Sequence, residues 1–127
     1  MKTPSLPRAL ADRAGATAIE FAILAPLLLT VLIGVIEFGR VLWAQNALEY
    51  AVAEAARCMS VDPSLCGTRR ETQDFAATSS GMTFPHSIFL VGAAPCGNKV
   101  LASYPFTFVT GLFPYSITLT AQSCFPV

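Results

Sequence analysis

The chain has 127 residues, of which 54% are hydrophobic and 13% charged, and eight Lys and Arg balance eight Asp and Glu. That length supports one small domain plus an anchor rather than two full domains. Zero net charge gives no electrostatic case for a nucleic-acid partner.

The charges are unevenly placed. Residues 1–15 hold Lys2, Arg8 and Arg13 against Asp12, a net of +2. The remainder holds five basic residues against seven acidic ones, a net of −2. A basic leader runs into Gly15 and Ala16, then Glu20 and Phe21, and the 16 residues from Phe21 to Ile36 carry no charge. An acidic side chain at the mouth of an apolar run is costly and calls for a partner. Counting from Ala16 gives 21 residues, enough to cross a bilayer if Glu20 is neutralised or paired. Basic residues flanking one end of a span mark its cytoplasmic side, so residues 1–15 are expected inside and residues beyond about 40 outside. A cleaved secretory signal is a poorer fit. No small-x-small site follows the apolar core until Ala51 and Ala53, too far downstream for signal cleavage.

Helical character continues past the span. Between Phe38 and Met59 there is no proline, and Gly39 is the one glycine. Val41, Leu48, Val52, Ala55 and Met59 trace one apolar stripe, and Glu37–Arg40 and Glu54–Arg57 are spaced as i,i+3 pairs on a polar side. Asp62, Pro63 and Gly67 are stop signals. One helix is therefore expected over about 14–59, roughly 70 Å long at 1.5 Å per residue. Pro26 lies inside it and is expected to give a mild kink.

Residues 60–81 read as a loop with a short helical turn near 70–77. Strands are expected from about 78 onward, with 82–91 demoted to an edge by Pro85. Segments 100–109 and 115–121 are the clearest candidates, since Ser116, Thr118 and Thr120 alternate with Ile117, Leu119 and Ala121. Phe106, Phe108, Phe113 and Tyr115 are expected to form the core of this part, the alternative being an adhesive or docking surface. The fold class is thus α+β. A long N-terminal transmembrane and amphipathic helix precedes a small, disulfide-stapled, antiparallel β-rich domain, divided as 1–15, 16–36, 37–59 and 60–127.

Cys58, Cys66, Cys96 and Cys124 all follow the span, and an even count in a small extracytoplasmic module reads as two disulfides. Four cysteines allow three pairings. A hairpin of the last two strands centred near Leu112 sets Cys124 opposite Val100 and Cys96 opposite a point just past Val127. A centre at Thr110 makes Cys96 and Cys124 direct opposites. The expected pairs are Cys96–Cys124 and, by remainder, Cys58–Cys66.

The run from Arg13 through Gly15, Ala16, Glu20 and Phe21 to Leu29, then Ile36 to Arg40, then Ala53 to Arg57, resembles the TadE-like family. These are minor pseudopilins of the tight-adherence (Flp-type) pilus system. The resemblance implies cleavage by a prepilin peptidase between Gly15 and Ala16, with Glu20 in the family's acidic position. Phe21 stands where major Flp pilins tend to carry Tyr, which favours a minor subunit. The new α-ammonium of one subunit would pair with Glu20 of its neighbour and offset the desolvation of both.

No catalytic arrangement is visible. His86 is the single histidine, there is no phosphate-binding glycine loop, and Asp62, Glu71 and Asp74 read as solvated loop carboxylates. The expectation is a non-enzymatic chain without metal or cofactor. Its partners would be the prepilin peptidase, other pilin and pseudopilin subunits, and the lipid bilayer. It would sit in the bacterial inner membrane with its C-terminal domain periplasmic. The competing reading is a static, membrane-anchored binding module.

Overall fold

The computed structural model describes residues 13–111 and 115–127. Most of the expected leader and Phe113 of the expected core lie outside the described residues. Helix α1 covers Arg13–Val61 and continues through Pro26. One turn on, the Thr30 hydroxyl donates to the Pro26 carbonyl at 2.8 Å. The fold divides between Ile36 and Glu37 into two compact units, Met1–Ile36 and Glu37–Val127.

Helix α1 stops where the sequence removes a donor. Pro63 has no N–H to continue the ladder, and it occupies the first turn of the short α2, Pro63–Cys66. The Asp62 carboxylate caps α2, accepting the Ser64 backbone N–H at 3.2 Å and the Ser64 hydroxyl. Gly67 follows because a Cβ there would run into the Pro63 carbonyl. Helix α3, Arg69–Ser79, replaces the expected loop. It opens on a capping box: Thr68 Oγ1 accepts the Glu71 N–H at 3.3 Å, and Glu71 Oε2 accepts the Thr68 N–H at 2.9 Å. The fully buried Thr72 hydroxyl donates to the Cys66 and Thr68 carbonyls, which ties α3 back to α2.

Three strands follow in spatial order β1-β2-β3, all antiparallel: β1 is Phe89–Ala94, β2 is Gly97–Thr107 and β3 is Ser116–Phe125. The first strand starts later than expected. After Pro85 the chain makes a 3-10 turn, His86–Ile88, closed by the Ile88 N–H on the Pro85 carbonyl at 3.3 Å. Pro105 lies inside the central strand, normally a forbidden place. The β1 ladder ends at Ala102, so beyond it β2 has β3 as its only neighbour. The Thr120 carbonyl faces away from β2, since it accepts the Gln45 amide at 3.1 Å. Its cross-strand partner Ser103 is then also turned away from β3, and so is Pro105 two residues on. The missing N–H falls on the vacant side.

In the unit Glu37–Val127 the core forms between one face of α1, α3 and one face of the sheet. Ala44, Leu48, Ala51, Val52 and Ala55 recur at three- and four-residue steps and are all essentially inaccessible. They pack with Ala76, Phe84, Phe89, Val100, Phe106 and Leu119. The expected stripe is therefore the core face, with Val41 and Met59 partly buried at its ends. Ala47, Ala51 and Ala55, spaced four residues apart on this face, are all buried in the core. The aromatic expectation holds for Phe106 and, half-buried, for Phe108, but Tyr115 is 77% exposed. Tyr115 precedes β3 and is outside the ladder, so the strand alternation that turns Leu119 and Ala121 inward does not govern it.

The bridges are Cys58–Cys66 and Cys96–Cys124. The ladder pairs Lys99 with Cys124 and Thr107 with Ser116, which centres the hairpin between Gly111 and Leu112. The register is close to the one that separates the two cysteines, yet they join. Cys96 is not in the ladder; it lies in the turn between β1 and β2. Gly97, at φ +120°, turns the chain, and a Cβ there would overlap the Phe125 carbonyl. That close approach brings the end of β3 to the turn.

Candidate processing and assembly segment

Gly15, Glu20 and Phe21 all lie on α1 and all are exposed. Ala16 and Glu20 are four residues apart, one helical turn. Beyond the helix's own neighbouring backbone, no heavy atom of the described residues comes within 4 Å of where a Gly15 Cβ would stand. The Gly15–Ala16 bond lies within α1, near the first of the described residues. Glu20 has no ion-pair partner among the described residues.

The large side chains around and beyond Glu20 are apolar and uncovered. Ile19, Phe21, Ile23, Leu24, Leu27, Val35 and Ile36 are each more than 60% exposed. None of the most apolar 18-residue window of α1 is buried. Leaving so much apolar surface in water costs about 25 cal/mol per Å². Length and composition of this helix suffice to cross a bilayer, which is consistent with membrane anchoring.

A second feature begins where the apolar run ends. Glu37 reads in sequence as half of a surface pair, but it is only 2% exposed. Its Oε1 accepts two backbone N–H groups, from Val109 at 3.0 Å and Thr110 at 3.1 Å. Its Oε2 accepts a hydrogen bond from Arg40 Nη1 at 2.7 Å, and the Arg40 guanidinium lies 5.3 Å from the centre of the Phe106 ring. Burial pushes the carboxyl up, but the two N–H donors and the guanidinium outweigh it and hold Glu37 below its ordinary range. The sequence signal for this role was thin: a carboxylate at the first polar position after an apolar run. Glu54 and Arg57, the other spaced pair, make no ion pair.

The other titratable side chains of note are scattered. His86 Nδ1 meets Asp74 Oδ1 at 2.7 Å, with both side chains more than half exposed. All four cysteines are in bridges. Among the described residues no group of three or more His, Cys, Asp or Glu is placed to hold a metal ion.

A long, uncovered apolar helix leading to a small antiparallel three-stranded sheet with two disulfides defines an α+β protein. Residues 15–57 match the family model described as TadE-like protein, consistent with a TadE-like protein of tight-adherence pilus systems. The match spans 43 of the 127 residues, from Gly15 to Arg57, and leaves α2, α3 and the sheet outside it. It points to a role in such pilus systems in general. No curated protein and no solved structure gives a significant match to the chain.

Proposed function

We propose that the chain is a minor pseudopilin that acts in assembly of a tight-adherence pilus. A prepilin peptidase would cut between Gly15 and Ala16, leaving Glu20 as the fifth residue of the mature chain. The observation that carries this reading is the co-occurrence of the family match over 15–57 with an exposed Gly15 and an unpaired Glu20 on one uncovered apolar helix. In a membrane an unpaired carboxylate calls for a positive partner. The α-ammonium created at Ala16 of a neighbouring subunit supplies one and sets the axial stagger between subunits. Residues 37–127 then stand on the extracytoplasmic side, where both bridges persist. The role is structural rather than catalytic, and the partners are other pilin and pseudopilin subunits.

Mass spectrometry of the protein from cells with an active pilus system tests this directly. A chain starting at Ala16 is expected, and an intact Met1 in those cells removes the proposal. Glu20→Ala should insert normally yet fail to assemble; unimpaired assembly would count against the pairing.

A further inference from the structure

We propose that the corner after β2, held by Glu37, is a lipid-contacting foot that seats the Glu37–Val127 unit on the bilayer surface. The inference rests on the reading of residues 16–36 as a membrane span. Glu37 follows Ile36 directly, so the end of the apolar run lies about one helical rise, ~1.5 Å, from Glu37. The distance holds however the two units are oriented, because it is set by the chain. Glu37 Oε1 in turn holds the Val109 and Thr110 N–H groups at 3.0 and 3.1 Å, 72 and 73 residues away in sequence. Two backbone bonds to one buried carboxylate thereby fix this corner where the helix leaves the hydrocarbon.

The side chains at that corner suit the place. Val109 is 76% exposed and Tyr115 is 77% exposed, although neighbouring Phe106 and Leu119 are buried. An exposed Val and Tyr flanking a chain reversal are poor ligands for water and good ones for the headgroup boundary, where tyrosine concentrates. Arg40, one turn along α1 from Glu37, donates from Nη1 to that carboxylate while its side chain stays 43% exposed. Its remaining donors, which have no hydrogen-bond partner among the described residues, can meet a phospholipid phosphate. The occupant is the lipid headgroup layer, contiguous with the hydrocarbon that covers α1.

The test uses the full chain in liposomes of zwitterionic and anionic phospholipid carrying brominated acyl chains. The single native tryptophan is first removed by Trp43→Phe. Reporters are then introduced singly as Tyr115→Trp, Val109→Trp and, within the span, Leu28→Trp. The Tyr115→Trp and Val109→Trp emissions should be blue-shifted and lose about half their intensity to lipids brominated near the headgroup. Emission typical of water, with no quenching beyond that in unbrominated liposomes, overturns the foot. A blue shift without lipid quenching means that protein covers the corner, and this also overturns it. Strong quenching of Leu28→Trp by deeply brominated lipid, alongside either result, shows that only the foot has failed. Absence of quenching at Leu28→Trp shows that the span reading itself has failed. In the Tyr115→Trp chain, adding Glu37→Gln should weaken the quenching, because an amide holds the two N–H groups less firmly.

Discussion

Glu37 accepts the backbone N–H of Val109 at 3.0 Å, joining α1 to the segment just past β2 across 72 positions of sequence. No other buried carboxylate occurs among the described residues. A charge at 2% exposure is tolerable because every bond it needs is supplied: two N–H groups on one oxygen and a guanidinium on the other.

Glu37→Ala removes all three bonds at once and leaves two backbone donors with no acceptor. The full chain in mild detergent should melt roughly 5 °C or more below wild type, followed by near-ultraviolet circular dichroism of the core aromatics. Glu37→Gln should fall between the two. Arg40→Ala should cost less than Glu37→Ala, since it leaves the backbone pair in place.

Acid should act through the same carboxylate. Its folded-state pKa lies below the ordinary 4.5, so its stabilisation is full above that value and is lost as pH falls through the lower folded value. Asp62 behaves alike, held down chiefly by the Ser64 hydroxyl. The melting temperature should be flat from neutrality to about pH 5 and fall below about pH 4. The fall should be shallower in Glu37→Gln and shallower again with Asp62→Asn added. An unchanged slope in the double variant would dismiss both residues as the acid-sensitive groups.

The two bridges should differ in worth. Cys58–Cys66 closes a separation of 8 residues and Cys96–Cys124 one of 28. Loop-closure entropy assigns about 2.5 kcal/mol to the first and about 3.5 kcal/mol to the second. Replacing Cys96 and Cys124 by serine should therefore lower the urea midpoint more than replacing Cys58 and Cys66.

Gly97→Ala tests how the longer bridge is made. The methyl would overlap the Phe125 carbonyl at a φ of +120°, so the variant should lose more than about 1 kcal/mol. Titration of free thiols should also show incomplete closure of Cys96–Cys124, while Cys58–Cys66 forms normally.

The helical half of the molecule was well marked in the sequence. Apolar periodicity in 41–59 and the stop at Asp62 and Pro63 both correspond to what α1 does. Helix α3 was legible too, since Thr68 and Glu71 stand at capping-box spacing, but its polar composition favoured reading a loop. Other features needed three dimensions. A pattern of spaced charges makes Glu37 half of a surface pair, and only the placement of Val109 and Thr110 shows it to be buried. Tyr115 was grouped with the core aromatics by residue type, although it precedes the strand and is 77% exposed. The bridge Cys96–Cys124 was reached from the sequence through a register that the ladder does not adopt. Turn geometry, which no periodicity encodes, makes it instead. The candidate cleavage residues Gly15 and Ala16 and the acidic Glu20 were visible as sequence alone, and the family match covers them.

The glutamine amide on Thr120 has a counterpart on the other side of the sheet. Gln73 of α3 donates to the Phe89 carbonyl at 2.6 Å, as Gln45 of α1 does to Thr120 at 3.1 Å. Phe89 and Thr120 belong to the two outer strands, neither of which carries a charge or a proline to repel a visitor. Such strands are templates for cross-β growth. Here an incoming strand must first displace an amide that a helix already holds in place. Two neutral side chains thus each occupy one carbonyl of an outer strand, an obstacle to strand addition set up without charge on either outer strand.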